Sequence, residues 1–124
     1  MLPAEPPSRT RQNFDSKKWF KSPKTAKSTD RYTHLAVAAS KMALEDSALD
    51  TEAIDKERFG VIVGSAFGGM ETFEKMTLNN AAGKKVSPFT IPMLLGNTAS
   101  GITAIEVRGI PSCPLALGSH PALP

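Results

Sequence analysis

Residues 59–70 read FGVIVGSAFGGM, and this stretch is the most informative part of the sequence about the fold class. Val61, Ile62 and Val63 are consecutive β-branched residues bounded by glycines, a pattern that predicts a strand over residues 59–65, buried on both faces as in a sheet covered by helices. The glycine-rich end of the stretch predicts a turn into a helix from Met70 or Glu71 to Ala82. A buried strand followed by a helix indicates an α/β protein.

Helical periodicity marks the segments on both sides of this stretch. Upstream, a helix is predicted over residues 30–47, with Ser28 or Thr29 as its cap. The predicted inward face of the upstream helix is formed by Tyr32, Leu35, Ala36, Ala39, Met42, Ala43 and Asp46. The predicted inward face of the helix that follows the glycines is formed by Met70, Phe73 and Thr77. The alanine-rich upstream face predicts close packing against a neighbouring element.

A third helix is predicted from Pro92 to Gly109, because proline is tolerated in a first turn and glycine ends helices. Small residues run through its interior: Gly96, Ala99, Ser100, Gly101 and Ala104. Each interior glycine costs about 1 kcal/mol relative to alanine, so their presence predicts a close approach of backbones. With one visible strand, the predicted α/β layer lacks a partner strand.

Charge and composition limit the function classes. The chain has 124 residues and a formal net charge of +3, and residues 1–31 hold eight Lys or Arg against three acids. Residues 1–27, rich in proline and lysine, are predicted to form an irregular basic arm. Such an arm is either a solvated segment or a surface that binds nucleic acid or an acidic protein. Cys113 is the single cysteine, which excludes an intramolecular disulfide and favours a reducing compartment. We predict no membrane span and no secretory signal.

Three blocks of the sequence resemble the β-ketoacyl-[acyl-carrier-protein] synthases, the condensing enzymes of type II fatty acid synthesis. The blocks are STDRYTHLAVAASKMALEDSALD, FGVIVGSAFGGMETFEKM and KKVSPFTIPMLLGNTASG, in that order. The resemblance implies a partial thiolase-like α/β fold over residues 28–109. Residues 110–124 are unlike the family and are expected to form a separate tail.

The resemblance also implies roles for residues. Phe67 and Gly68 would border the acyl pocket, and Phe67 stands where many relatives carry isoleucine, a change that bears on the width of the pocket. Thr90 replaces the second phenylalanine of the commoner SPFF motif. The implied dimer contact comprises Ser87, Pro88, Phe89, Thr90, Ile91, Pro92, Met93 and Asn97. The implied partners are acyl carrier protein and a second synthase chain, in cytoplasm or plastid stroma, with no cofactor and no metal.

The family's reaction is a decarboxylating Claisen condensation that needs a cysteine thiolate and two histidines. Cys113 comes too early and is flanked by Pro114, and neither His34, expected at the surface, nor His120 matches a family histidine. We therefore expect no catalytic residue here, a truncated chain that is inactive alone, and exposed apolar surface that promotes aggregation. Two alternatives stay open: a non-catalytic fragment that pairs with a full-length synthase, and a basic nucleic-acid-binding protein.

Overall fold

The computed structural model describes residues 14–50, 52–55, 58–108 and 116–117, with backbone alone for residues 108, 116 and 117. In chain order these residues form a 3-10 helix (Ser16–Trp19), α1 (Pro23–Lys27), α2 (Arg31–Ser47), β1 (Val61–Ile62), α3 (Met70–Ala81), α4 (Thr90–Leu94), α5 (Thr98–Arg108) and β2 (Ala116–Leu117). Helices combined with a parallel strand pair confirm the α/β class in its broad form.

Helix α2 occupies the predicted range, but its cap is Asp30 rather than Ser28 or Thr29. The Asp30 backbone is extended, and its side chain accepts a hydrogen bond from the Tyr32 amide at 3.2 Å. The Thr29 hydroxyl instead donates to the Thr25 carbonyl at 2.9 Å, which ties it to the end of α1. Ala48 ends α2 with a left-handed φ of 50°.

The main helix contact lies between α2 and α5, and small side chains form it. Its buried residues are Thr33, Val37 and Ala38 of α2 and Ala99, Ser100, Thr103 and Ala104 of α5. The predicted close approach through small residues is therefore confirmed for Ala99, Ser100 and Ala104. A Cβ at Gly101 would meet nothing within 4 Å, so this glycine has no packing role.

The predicted inward faces of α2 and α3 are wrong. Leu35 and Met42 of α2 are exposed, because the helix turns its threonine and alanine side towards α5. Met70 and Phe73 of α3 are also exposed. The buried residue of α3 is Thr72, which faces the cap of α2.

The prediction of an irregular arm is wrong for residues 14–27, and residues 1–13 lie outside the described part. Pro23 starts α1 rather than breaking it, since a proline in the first turn loses no helical hydrogen bond and Ser22 provides the cap. Phe20 and Ala26 are buried in one cluster with Val37 of α2. The arm thus supplies part of the core.

Strand β1 is shorter than predicted and is not buried on both faces, since Ile62 is exposed. It pairs in parallel with β2, with Val61 opposite Ala116 and Ile62 opposite Leu117. The partner strand that the sequence pattern did not predict therefore lies within residues 110–124, the segment expected to form a separate tail. In the described residues no second layer covers the outer face of β1 at Ile62.

The single third helix predicted from Pro92 to Gly109 is wrong, because two helices occupy this range and Gly109 lies outside the described residues. Leu95 breaks the path with an extended ψ of 130°, and its carbonyl accepts from the Thr98 amide at 3.1 Å. Helix α3 matches its predicted range within one residue, and Gly83 follows it with a φ of +67°.

Candidate acyl-chain and partner surface

Residues 63–69 form the loop between β1 and α3, here called the β1–α3 loop. Gly68 adopts a left-handed φ of +69°, a conformation that glycine reaches without steric cost. Its amide donates to the Ser65 hydroxyl at 2.9 Å, and the Gly69 amide donates to the Leu94 carbonyl at 3.1 Å. The loop is therefore folded on itself and attached to the end of α4.

Two of the three glycines of this loop, Gly68 and Gly69, permit a close approach to α4. A Cβ at Gly68 would lie 2.3 Å from the Leu94 carbonyl oxygen, and a Cβ at Gly69 would lie 2.2 Å from that of Met93. Both atoms belong to backbone that cannot rotate away. The structure thus brings the residues predicted to border a pocket next to those predicted to form a dimer contact.

Large apolar side chains remain exposed on these elements. Phe67 is 74% exposed, and Phe89 and Ile91 of the predicted dimer segment are 54% and 61% exposed. In that segment Pro88, Pro92 and Asn97 are also exposed, while Ser87, Thr90 and Met93 are partly buried. The Thr90 hydroxyl donates to the Ser87 carbonyl at 2.6 Å, so this hydroxyl is hydrogen-bonded to the backbone just before α4.

Asp30 forms the junction between α2 and α3, a role that the sequence analysis missed. One carboxylate oxygen caps α2, and the other accepts from the Thr72 amide at 2.8 Å and from the Thr72 hydroxyl. Gly69, at the start of α3, provides no side-chain cap. Asp before a helix signals one cap, but no local pattern signals that a carboxylate serves two helices.

Glu106 is a second buried acid that the sequence analysis missed. Its side chain is 3% exposed and forms a salt bridge of 3.1 Å with Lys41 of α2. It also accepts from the Lys21 amide at 2.9 Å, and the Lys41 ammonium donates to the Trp19 carbonyl. A lone acid inside the apolar run of α5 was the available signal, since buried charges are normally paired.

His34 is half-buried, whereas an exposed surface position was expected. Its Nε2 donates to the Ala26 carbonyl at 2.8 Å, and its ring meets Phe20 edge-on with centroids 5.3 Å apart. This arrangement attaches α1 to α2 and gives the ring a structural role. Cys113 and His120 lie outside the described residues.

Five lysines of the arm point to solvent and form what we call the lysine surface: Lys17, Lys18, Lys21, Lys24 and Lys27. Among residues 14–27 the one acid is Asp15, whose carboxylate caps the 3-10 helix through the Lys17 amide at 3.1 Å. The lysine surface therefore carries excess positive charge, which favours acidic partners.

The described residues contain neither a metal-binding cluster nor a membrane-spanning helix. They contain no group of three or more His, Cys, Asp or Glu side chains placed to hold a metal ion. None of the helices in the described ranges is long and apolar enough to cross a membrane.

Known proteins match this chain along most of its length. A family model described as "Beta-ketoacyl synthase, N-terminal domain" matches residues 4–110. The 3-oxoacyl-[acyl-carrier-protein] synthase 2 of Synechocystis sp. is 37% identical over 98 residues, which cover 77% of this chain and 23% of the relative. The Staphylococcus aureus protein of the same name is 40% identical over 86 residues, or 68% of this chain and 21% of the relative. The chain thus aligns with less than a quarter of each relative.

Proposed function

The chain belongs to the β-ketoacyl synthase family, and from this we propose that it forms part of a thiolase-like condensing unit for fatty acid elongation. The reaction is the decarboxylating Claisen condensation of an acyl thioester with malonyl-acyl carrier protein. The observation that carries the proposal is the match of the family model to residues 4–110. The packing of the β1–α3 loop on α4 supports it, because in this proposal the packing joins the loop that borders the acyl chain to the segment that contacts a partner chain.

Phe67 and Gly68 border the acyl pocket in this proposal. The exposed aromatic ring of Phe67 supplies apolar area for an alkyl chain, and burial of such area contributes about 25 cal/mol per Å². Gly68 brings the loop backbone against α4, which fixes the position of the neighbouring Phe67 relative to that helix.

The 124-residue chain by itself does not catalyse the condensation in this proposal. The family's thiolate and its two histidines match no residue of the chain, and His34 is bonded to the Ala26 carbonyl. Purified chain supplied with acyl- and malonyl-acyl carrier protein is expected to give no β-ketoacyl product, while the S. aureus synthase gives product under the same conditions. Product formation that disappears in Cys113→Ser would contradict this expectation.

Residues 87–93 and Asn97 contact a second synthase chain in this proposal, as a homodimer or with a full-length synthase. Exposed Phe89 and Ile91 provide the apolar area that such contacts bury. The chain is expected to co-elute with full-length S. aureus synthase, and Ile91→Lys is expected to weaken binding about tenfold or more, as for a central interface residue. Leu49→Lys, at a residue of similar exposure beyond α2, is the control. Separate elution of the unmodified chain, or equal loss in both variants, would contradict the pairing.

Acyl carrier protein binds the lysine surface in this proposal. Replacing Lys17, Lys24 and Lys27 by glutamine is expected to lower carrier-protein affinity about tenfold at low salt and less at high salt, because screening weakens exposed charges. Replacing Lys84 and Lys85, which are exposed beyond α3, is the control. Fluorescence anisotropy measures the affinity for acyl carrier protein and, in parallel, the affinity for a DNA duplex of mixed sequence. Tighter binding of DNA with a steep loss in salt would favour the nucleic-acid alternative instead.

A further inference from the structure

The β1–α3 loop is held at both ends by side chains from other helices. At its start the Val63 amide donates to the Ser100 hydroxyl of α5 at 3.1 Å. At its end Thr72, in the first turn of α3, is bonded through its amide and its hydroxyl to one carboxylate oxygen of Asp30. The loop position therefore depends on Ser100 and on Asp30.

Asp30 reaches α3 because Gly69 has no side chain. A Cβ at Gly69 would lie 3.0 Å from the Asp30 carboxylate oxygen, in addition to its collision with the Met93 carbonyl. Asp30 is itself buried, at 4% exposure. The carboxylate is thus enclosed where α2, α3 and the end of α4 meet.

The electrostatics of this junction favour a carboxylate. The first amides of a helix lack intrahelical acceptors, and the helix dipole places positive potential at the same end. Asp30 supplies a hydrogen-bond acceptor and a negative charge at the start of both α2 and α3, because one carboxylate oxygen accepts from each helix. A shift of Asp30 would therefore move the start of α3 and the loop residues directly before it.

We propose that Asp30 is a positioning residue for the acyl-binding loop: by bridging the first turns of α2 and α3, its carboxylate fixes the β1–α3 loop and so the place of Phe67. The link to acyl binding rests on the function proposed above, whereas the link to loop position rests on the contacts of Asp30. Phe67 meets the acyl chain, and Asp30 acts on it through Thr72 and Gly69.

Asp30→Ser separates the two capping roles. Serine is as good a cap as aspartate and can still accept from the Tyr32 amide, but its shorter side chain does not reach Thr72. Amide hydrogen exchange of the full chain is followed by NMR. The Thr72, Gly69 and Gly68 amides are expected to exchange about tenfold faster than in the unmodified chain, the effect of losing one to two hydrogen bonds. The Tyr32 and Thr103 amides are expected to change less than about twofold, because local opening leaves global stability in place.

Thr72 tests the same bridge from its other end if Asp30→Ser does not fold. Thr72→Val removes the hydroxyl donor and is expected to speed exchange at Gly69 and Gly68, while Thr72→Ser keeps a hydroxyl and is expected to restore slow exchange. Equal acceleration at Gly69 and Thr103 would show an effect on global stability alone and would overturn the proposal. Unchanged exchange at Gly68 and Gly69 would overturn it as well.

Titration with myristoyl-pantetheine, a long-chain acyl thioester, is carried out on the same samples with the Gly68 amide shift as readout. Binding to the unmodified chain that weakens in Asp30→Ser supports both the positioning role and the acyl pocket. Failure of the unmodified chain to bind counts against the acyl role of Phe67, whereas the exchange result still decides the role of Asp30. The two proposals therefore fail in different measurements.

Discussion

Replacing Glu106 by alanine is expected to lower the free energy of unfolding by about 3 kcal/mol, the lower end of the cost of breaking a buried ion pair. The variant leaves the Lys41 ammonium beside the core and removes the acceptor of the Lys21 amide. We take the lower end because the Lys41 side chain is 22% exposed and keeps its bond to the Trp19 carbonyl. Urea unfolding followed by circular dichroism measures the change through the midpoint at constant slope.

Two further variants test whether the loss in Glu106→Ala comes from the buried ion pair. Glu45→Ala, at an exposed acid on α2, is expected to change stability by no more than about 0.5 kcal/mol. The double variant Lys41→Met with Glu106→Met is expected to recover part of the loss, because removing both charges ends the cost of an unpaired buried ion. A double variant less stable than Glu106→Ala would contradict the ion-pair explanation.

Gly68→Ala is expected to destabilise the chain by about 3 kcal/mol, the second large effect. About 1 kcal/mol or more comes from placing a Cβ in the left-handed region, and about 1–3 kcal/mol comes from overpacking. The new Cβ would lie 2.3 Å from the Leu94 carbonyl oxygen and 3.0 Å from the Gly96 amide nitrogen. Both are backbone atoms, so the loop must move away from α4. Thermal and urea unfolding measure the loss.

Other glycines provide matched controls. Gly83 has a similar φ of +67° but nothing within 4 Å of a Cβ, so Gly83→Ala is expected to cost about 1 kcal/mol from backbone conformation alone. Gly101→Ala, in α5 with open space around the new Cβ, is expected to stabilise the chain by about 0.5–1 kcal/mol. Equal losses at Gly68 and Gly83 would mean that contact with α4 contributes nothing.

Local sequence patterns predicted the bounds of the helices better than they predicted which face of each helix is buried. The periodicity of residues 30–47 and 70–82 placed α2 and α3 within one residue of their observed bounds. The choice of buried face failed for both, because hydrophobicity pointed to Leu35, Met42 and Phe73 whereas small and polar residues such as Thr33 and Thr72 face the neighbouring helices. A face that packs closely on a partner selects for size as much as for hydrophobicity.

The predictions of an irregular arm and of a single third helix failed for a related reason. The prolines of residues 1–27 predicted an irregular arm, although a proline that follows a serine cap, as Pro23 does, also starts a helix. The break at Leu95 depends on the attachment of α4 to the β1–α3 loop, which no local pattern records. In the candidate site, Gly68 and its neighbours were found from the family resemblance, whereas Asp30 and Glu106 act through partners 42 and 85 residues away in sequence.

The packing of α2 on α5 has a consequence for synthesis. Fifty residues separate Ser47 from Thr98, so at ~5–20 residues per second α2 leaves the ribosome several seconds before its partner helix. During that interval Phe20 and Val37 have no α5 to cover them, and a solitary helix of this length is marginal in water. The nascent chain is therefore expected to stay largely unstructured until α5 emerges, and to acquire its core in one late cooperative step.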